Sequence, residues 1–313
     1  MTKADNHRRR FLKGVLLGML GGFGLPEASA QTQGSNVVKS SGQVSSIPMT
    51  SKPRLVVLSI GVSDYRQHYP SLRFAAKDAI DLAHELSKQR EGLYAEVLTR
   101  VLVNKEATRA TIVDGLEWLE SQMTKQDVAI IFLGGHGIRS PRTNEYLYLP
   151  HDVDADPKHI RSTTVPASEL LKTVKNTPGK IVVFLDTCYA GQILGDVQMR
   201  GPSEFSELVA ELTKAGEGVV VFASSSGWQP SLESPEWQNG AFTKALLEAL
   251  LGKKTADAKG GITLTAIDTY VTQRVKELTK GQQTPTTAKL GMMPDYPLVK
   301  KLKVDNVDVP VFH

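Results

Sequence analysis

The sequence predicts an α/β fold, a mainly parallel central sheet of about six strands with helices on both faces. Two patterns carry that expectation. Short runs such as Val128–Leu133 and Ile181–Leu185 are apolar at every position, as strands covered on both faces must be. Between such runs lie stretches whose apolar residues recur every three or four positions, the period of an amphipathic helix. A third observation bounds the answer. Once an N-terminal leader and linker are set aside, roughly 260 residues remain, which suits one large domain, residues 53–313, with no internal repeat.

The elements follow in order. Leu55–Val62 is a continuous apolar first strand. Leu72–Gln89 spaces Phe74, Ala75, Ala79, Leu82, Ala83 and Leu86 as a helix. Val97–Val103 is the second strand, and Thr111–Met123 a helix with Ile112, Leu116, Leu119 and Met123 on one face. Val128–Leu133 is the third strand, Ala167–Val174 a short helix, Ile181–Leu185 the fourth strand and Val219–Ala223 the fifth. Gly240–Leu251 and Leu264–Leu278 read as helices, and the apolar Tyr296–Val299 as a short sixth strand. Crossovers between parallel strands should be right-handed. Gln192–Gly218, between the fourth and fifth strands, reads as a mobile loop that is turn-rich at Gly195–Ser203, with a helical pattern at Phe205–Leu212.

Residues 1–30 read as an address. Arg8-Arg9-Arg10-Phe11-Leu12-Lys13 is a twin-arginine pattern, Gly14–Leu25 an apolar stretch, and Ala28-Ser29-Ala30 a small-x-small cleavage pattern. The apolar stretch is too short to span a bilayer as a helix; an uncleaved anchor is the alternative. Twin-arginine export carries folded proteins and implies a periplasmic or extracellular destination. Residues 31–52, rich in Ser, Gln, Gly and Thr, read as a flexible linker or short pro-segment. The leader holds Lys3, Arg8, Arg9, Arg10 and Lys13 against Asp5 and Glu27, a net +3, so the chain's +4 falls to +1 without it. No global basic field remains to attract nucleic acid, and no later segment is apolar enough to span a membrane.

Cys188 is the only cysteine, so no internal disulfide can form. It closes the run Ile181-Val-Val-Phe-Leu-Asp186-Thr-Cys188, while Gly134-Gly135-His136-Gly137 follows the third strand. A thiol and an imidazole thus each stand at the carboxyl end of a strand, where open α/β sheets place their chemistry. His136 precedes Cys188 by 52 residues, a spacing compatible with a cysteine nucleophile and its base. A thiolate is the effective nucleophile, and a neighbouring imidazole supplies it by taking the thiol proton. The glycines let backbone approach a ligand, and N–H groups at Gly137 and Cys188 could bind a developing oxyanion. The competing reading is a small core thiol and a loop-capping histidine. Asp152, Asp154 and Asp156 lack the turn glycine and bidentate glutamate of a calcium-binding EF-hand loop. No cysteine–histidine cluster has zinc spacing, and no Walker sequence is present.

At these residues the chain resembles a known family. Gly-Gly-His136-Gly and Asp186-Thr-Cys188-Tyr-Ala-Gly191 are similar to the two catalytic motifs of caspase-like cysteine peptidases, closest to metacaspases and bacterial orthocaspases. Ile60–Tyr65 with Leu72–Ala79 resembles that family's first strand and helix. Ala223–Ser226, Glu233 and Gly240–Leu246 resemble its small-subunit region. The likeness covers roughly Leu55 to Val299 and implies a caspase-like fold. It implies Cys188 as nucleophile, His136 as general acid/base, and the amides of Gly137 and Cys188 as the oxyanion hole. It implies an acidic pocket at Asp78 and Asp186 that selects Arg over Lys in protein or peptide substrates. The alternative readings are that Asp78 is a solvated helix residue and Asp186 a structural hydrogen-bonding group. Gly134 stands where relatives often carry a serine. Some relatives require calcium, so a Ca2+ site outside the EF-hand pattern stays open, and no metal ligand is assigned. Arg200, followed by Gly201, is the candidate site of self-cleavage, with Lys214 the alternative. Trp228 and Trp237 either line the substrate cleft or pack their loop down. The alternative function is a non-catalytic binding scaffold of the same fold.

Overall fold

A computed structural model describes residues 52–67, 69–140, 142–143, 145–156, 158–189, 203–225, 231–252, 254–289 and 294–302. The leader, nearly all of the linker, Arg200 and Trp228 therefore lie outside the described residues.

The chain runs β1 (Arg54–Gly61), α1 (Ala75–Ser87), β2 (Glu96–Val103), α2 (Arg109–Gln122), β3 (Val128–Arg139) and β4 (Tyr146–Tyr148). It continues through α3 (Ile160–Thr163), β5 (Val165–Pro166), α4 (Ala167–Asn176), β6 (Lys180–Tyr189), α5 (Ser203–Lys214) and β7 (Val219–Ala223). The remaining elements are β8 (Glu233–Ser234), β9 (Asn239–Gly240), α6 (Ala241–Leu250), β10 (Gly261–Thr263), α7 (Leu264–Leu278), β11 (Thr286–Lys289) and β12 (Pro297–Lys300).

The main sheet has the order β11-β7-β6-β3-β1-β2. Along this path β1, β2, β3, β6 and β7 pair parallel, and β11 closes one edge antiparallel to β7, while β4 and β5 join off the path antiparallel to β3 and to each other. The alternation of strand side chains divides the core in two. Val56, Leu58 and Ile60 pack with Ile112, Leu116 and Leu119 of α2, Leu170 of α4 and Leu212 of α5. Leu55 and Val57 pack with Leu82 of α1, Phe242 of α6 and Val271 of α7. Phe132, Phe184, Phe222 and Phe242 are fully buried on this second face. Each such ring contributes about 2–3 kcal/mol by leaving water. Threonines cap two helices: Thr108 and Thr111 cap each other's amides at α2, and Thr263 accepts from Ala266 N–H at α7.

Two parts of the sheet differ from the sequence expectation. The apolar Tyr296–Val299 does not join it: β12 pairs with β10 in a separate two-stranded sheet. The sixth strand of the main path is β11, Thr-Thr-Ala-Lys, which as an edge strand needs no continuous apolar run. The third and fourth expected strands also run longer. β3 continues through His136 to Arg139 because its ladder with β6 persists and Gly137–Arg139 gain β4 on the other side. The helical pattern at Phe205–Leu212 is present as α5, which buries Leu208, Val209 and Leu212, while residues 192–202 of the expected loop lie outside the described residues.

From β1 the chain steps outward to β2, then crosses back to β3, β6 and β7. The strand order reverses between β1 and β3, so the crevice at their carboxyl ends is the expected ligand position of the sheet.

Candidate active site

The two candidate catalytic residues are register partners on neighbouring strands. Parallel pairing of β3 and β6 aligns Gly134 with Asp186, Gly135 with Thr187, His136 with Cys188 and Gly137 with Tyr189. Neighbouring strands lie about 4.8 Å apart, so both positions share one sheet edge. They are strand residues rather than residues of the following loops.

His136 is almost wholly buried and held on every side described. Its backbone N–H donates to the Tyr65 hydroxyl at 2.8 Å, and its carbonyl accepts from Leu149 N–H at 3.0 Å. The ring stacks on Tyr65, with centroids 5.1 Å apart and 26° between planes. Nε2 lies 2.9 Å from the Pro70 carbonyl oxygen. A carbonyl only accepts, so Nε2 carries the proton and Nδ1 presents the basic lone pair. Nδ1 is buried with no hydrogen-bond partner among the described residues. Burial pushes the imidazole below its ordinary pKa, against the opposing pull of the Pro70 carbonyl and the Glu233 charge. The ring is therefore a neutral base at neutral pH.

The glycines around it are required by space. Gly135 has φ +143°, and a side chain there would meet the hydroxyls of Tyr65 and Tyr148 at 3.0 and 3.2 Å. A Cβ at Gly137 would collide with the Tyr146 ring. At Gly134, where a relative's serine would stand, a Cβ would lie 2.9 Å from the Phe132 ring and 3.3 Å from the Ala75 carbonyl oxygen. The packing of Phe132 accounts for that departure.

Asp78 and Asp186 come together although 108 positions separate them in sequence. Both are buried, at 3% and 8% exposure, so Asp78 is no solvated helix residue. A Cβ placed on Gly240 would be 3.1 Å from an oxygen of each. Asp78 accepts from Asn239 Nδ2 at 2.8 Å and Gly240 N–H at 3.0 Å. Asp186 accepts from Thr243 Oγ1 at 2.8 Å, with Ser231 and Ser224 hydroxyls as further donors. Gly240 and Thr243 belong to the start of α6, whose dipole favours negative charge there. Burial outweighs that help. It pushes Asp78 up to about 8, with the charge of Asp186 adding to the shift, and raises Asp186 as well. Near pH 7 the pair keeps a proton.

Other sequence candidates have bland places. Asp154 and Asp156 accept the amides of Asp156 and Lys158, as turn-forming aspartates do, and Asp152 accepts the Arg109 amide at the start of α2. Among the described residues no three or more His, Cys, Asp or Glu side chains gather as a metal site would require. Trp237 packs partly buried against the second core. A cavity of about 960 Å³ is lined by Lys244, Glu248, Tyr270, Arg274 and Asp295 among others. It contains none of the residues above, and Glu248 there is already paired, with Arg274 Nε at 2.7 Å. Roles for Tyr65, Pro70, Glu233, Asn239 and Thr243 were not foreseen. Tyr65, Glu233 and Thr243 lie in segments that carry the resemblance, but contacts spanning up to 161 positions gave no local signal of these roles. Among the described residues no helix is long and apolar enough to cross a membrane.

Comparison with known proteins places this geometry. Residues 54–292 match the family described as the caspase domain. No curated protein matches the chain. Among solved structures, protein GSU0716 from Geobacter sulfurreducens is similar at 18% identity and a TM-score of 0.53. The match covers 76% of this chain and 94% of that one. At that identity the likeness is one of fold.

Proposed function

Taking as premise that the chain belongs to the caspase-domain family, which implies cysteine-peptidase chemistry on protein substrates, we propose that it is an endopeptidase that uses Cys188 and His136 and cuts after basic residues, Arg over Lys. The observation that carries this reading is the register of His136 with Cys188, joined to a histidine whose Nε2 is tied to Pro70 and whose Nδ1 is left basic.

In this reading Nδ1 takes the Cys188 thiol proton, and the thiolate attacks the carbonyl carbon of the scissile bond. The carbonyl electron pair moves to oxygen, where the amides of Gly137 and Cys188 receive it. Collapse breaks the C–N bond as the imidazolium protonates the leaving amine, giving a thioester and a free amine. Water, deprotonated by the same nitrogen, then attacks the thioester and releases a carboxylate and the thiol. Asp78 and Asp186 supply the selectivity: two carboxylates suit a guanidinium, which binds carboxylate bidentately, better than an ammonium.

Labelling with an arginyl chloromethyl ketone tests the assignment, with Cys188→Ala as control. Stoichiometric labelling of wild type alone supports it. No labelling of folded wild type would leave the non-catalytic scaffold. We further propose twin-arginine export with loss of residues 1–30. A mature N-terminus near Gln31 in the periplasmic fraction is the expected observation.

A further inference from the structure

We propose that Glu233 is a positioning residue of the catalytic histidine, holding through Arg73 and Phe74 the backbone whose Pro70 carbonyl orients the imidazole. The proposal rests on the peptidase reading above. Glu233 accepts Arg73 N–H with both oxygens, at 2.9 and 3.0 Å, and Phe74 N–H at 3.1 Å. Phe74 is the N-cap residue of α1 and offers no side-chain cap, so these amides depend on a group 160 residues away. Besides Glu233, Leu72 N–H to Ser63 carbonyl at 2.9 Å and Ala76 N–H to Ser63 Oγ at 3.0 Å hold the start of the helix. Pro70, three residues before Arg73, is the acceptor for His136 Nε2.

Glu233 is itself firmly seated. It opens the β8–β9 hairpin, where it pairs with Gly240. The adjoining Leu232 donates to Gln283 Oε1 at 2.8 Å, and Gln283, wholly buried, donates to the Ser224 carbonyl at 2.8 Å. The hairpin's other strand supplies Gly240 N–H to Asp78. One hairpin thus touches the tether of the histidine and a carboxylate of the pocket. Glu233 is also the acidic charge acting on the imidazole. The other groups described at the ring are the stacked Tyr65 and the neutral Pro70 carbonyl; Cys188 is the register partner of His136 on β6.

Glu233→Gln and Glu233→Ala separate the two effects. Glutamine keeps a carbonyl acceptor and removes the charge. Its pH-independent kcat/KM on an arginyl substrate should stay within about threefold of wild type, while both the acid limb and the NMR titration of His136 move to lower pH. Alanine removes both. Its kcat should fall about 10–100-fold with KM nearly unchanged, the scale of a small misplacement of a reacting group. A purely structural role predicts lower melting temperatures and unmoved titrations. If the His136 midpoint is the same in wild type and both variants, or if Glu233→Ala keeps full kcat, the proposal is overturned. If wild type cleaves nothing, the peptidase reading fails by itself, and the His136 titration still decides the role of Glu233.

Discussion

His136 owes its proposed role to the fate of its second nitrogen. With Nε2 committed to Pro70, only Nδ1 can move a proton, and burial keeps it unprotonated below the ordinary range of the imidazole. Cys188→Ala and His136→Ala should each abolish amidase activity, and the double variant should be little worse than either, because the two act as a unit; single-turnover assays of folded variants check this. In wild type the acid limb of kcat/KM should lie below the ordinary histidine value. The pocket carboxyls behave oppositely. Asp78 in the unfolded chain loses its proton in the ordinary carboxylate range, but in the fold only at about 8. Its contribution to stability is therefore full below the ordinary range and is lost as pH rises through about 8. Asp78→Asn should flatten that decline, read as melting temperature against pH. A guanidinium calls for the ionised pair, so kcat/KM for arginyl substrates should climb as pH rises toward 8. Isothermal titration in buffers of different ionisation enthalpy should show proton release on binding an arginyl inhibitor. No release would separate the pair from the pocket.

Among the elements, the inner strands were the most legible. Val128–Leu133, Ile181–Leu185 and Val219–Ala223 are apolar because helices cover both sheet faces, and that pattern survives without tertiary information. The edge was not legible. Thr286–Lys289 carries no apolar run, whereas Tyr296–Val299 does, yet the first joins the main sheet and β12 pairs with Gly261–Thr263. Apolar content reports burial, and burial alone does not say which partner provides it. The strand extensions escaped for a related reason. Glycine is a poor strand former, and the ladders to β1, β6 and β4 hold Gly134–Gly137 in the strand. At the site, Cys188 and His136 were legible as a motif, and so were the positions of Asp78 and Asp186. The donors that restrain them, Asn239 and Gly240 above all, were not. Gly137→Ala tests the extended strand. Its methyl must displace Tyr146, which should cost about 1–3 kcal/mol and shift the proposed oxyanion amide. Loss of melting temperature together with kcat is the expected result, and unchanged kcat would remove Gly137 from the oxyanion hole.

At the scale of the whole molecule, the connection from β6 to β7 divides the site unequally. Asp78, His136, Asp186 and Cys188 precede it; Glu233, Asn239, Gly240 and Thr243 follow it. We expect purified wild type, but not Cys188→Ala, to acquire a new N-terminus at Gly201, read by mass spectrometry; full activity with an intact chain would dismiss processing and leave the catalytic assignment as it stands. The strand order gives such a cut an unusual character. β6 and β7 are adjacent inner strands, paired in parallel from Ile181 with Val219 to Leu185 with Ala223. Severing the covalent link would turn these ladder bonds, and the donors to both aspartates, into contacts between subunits without moving an atom of them. The product would be a heterodimer born already assembled, with no encounter step and no folded free subunit to exchange. Its halves would trade partners only as fast as the entire sheet unfolds.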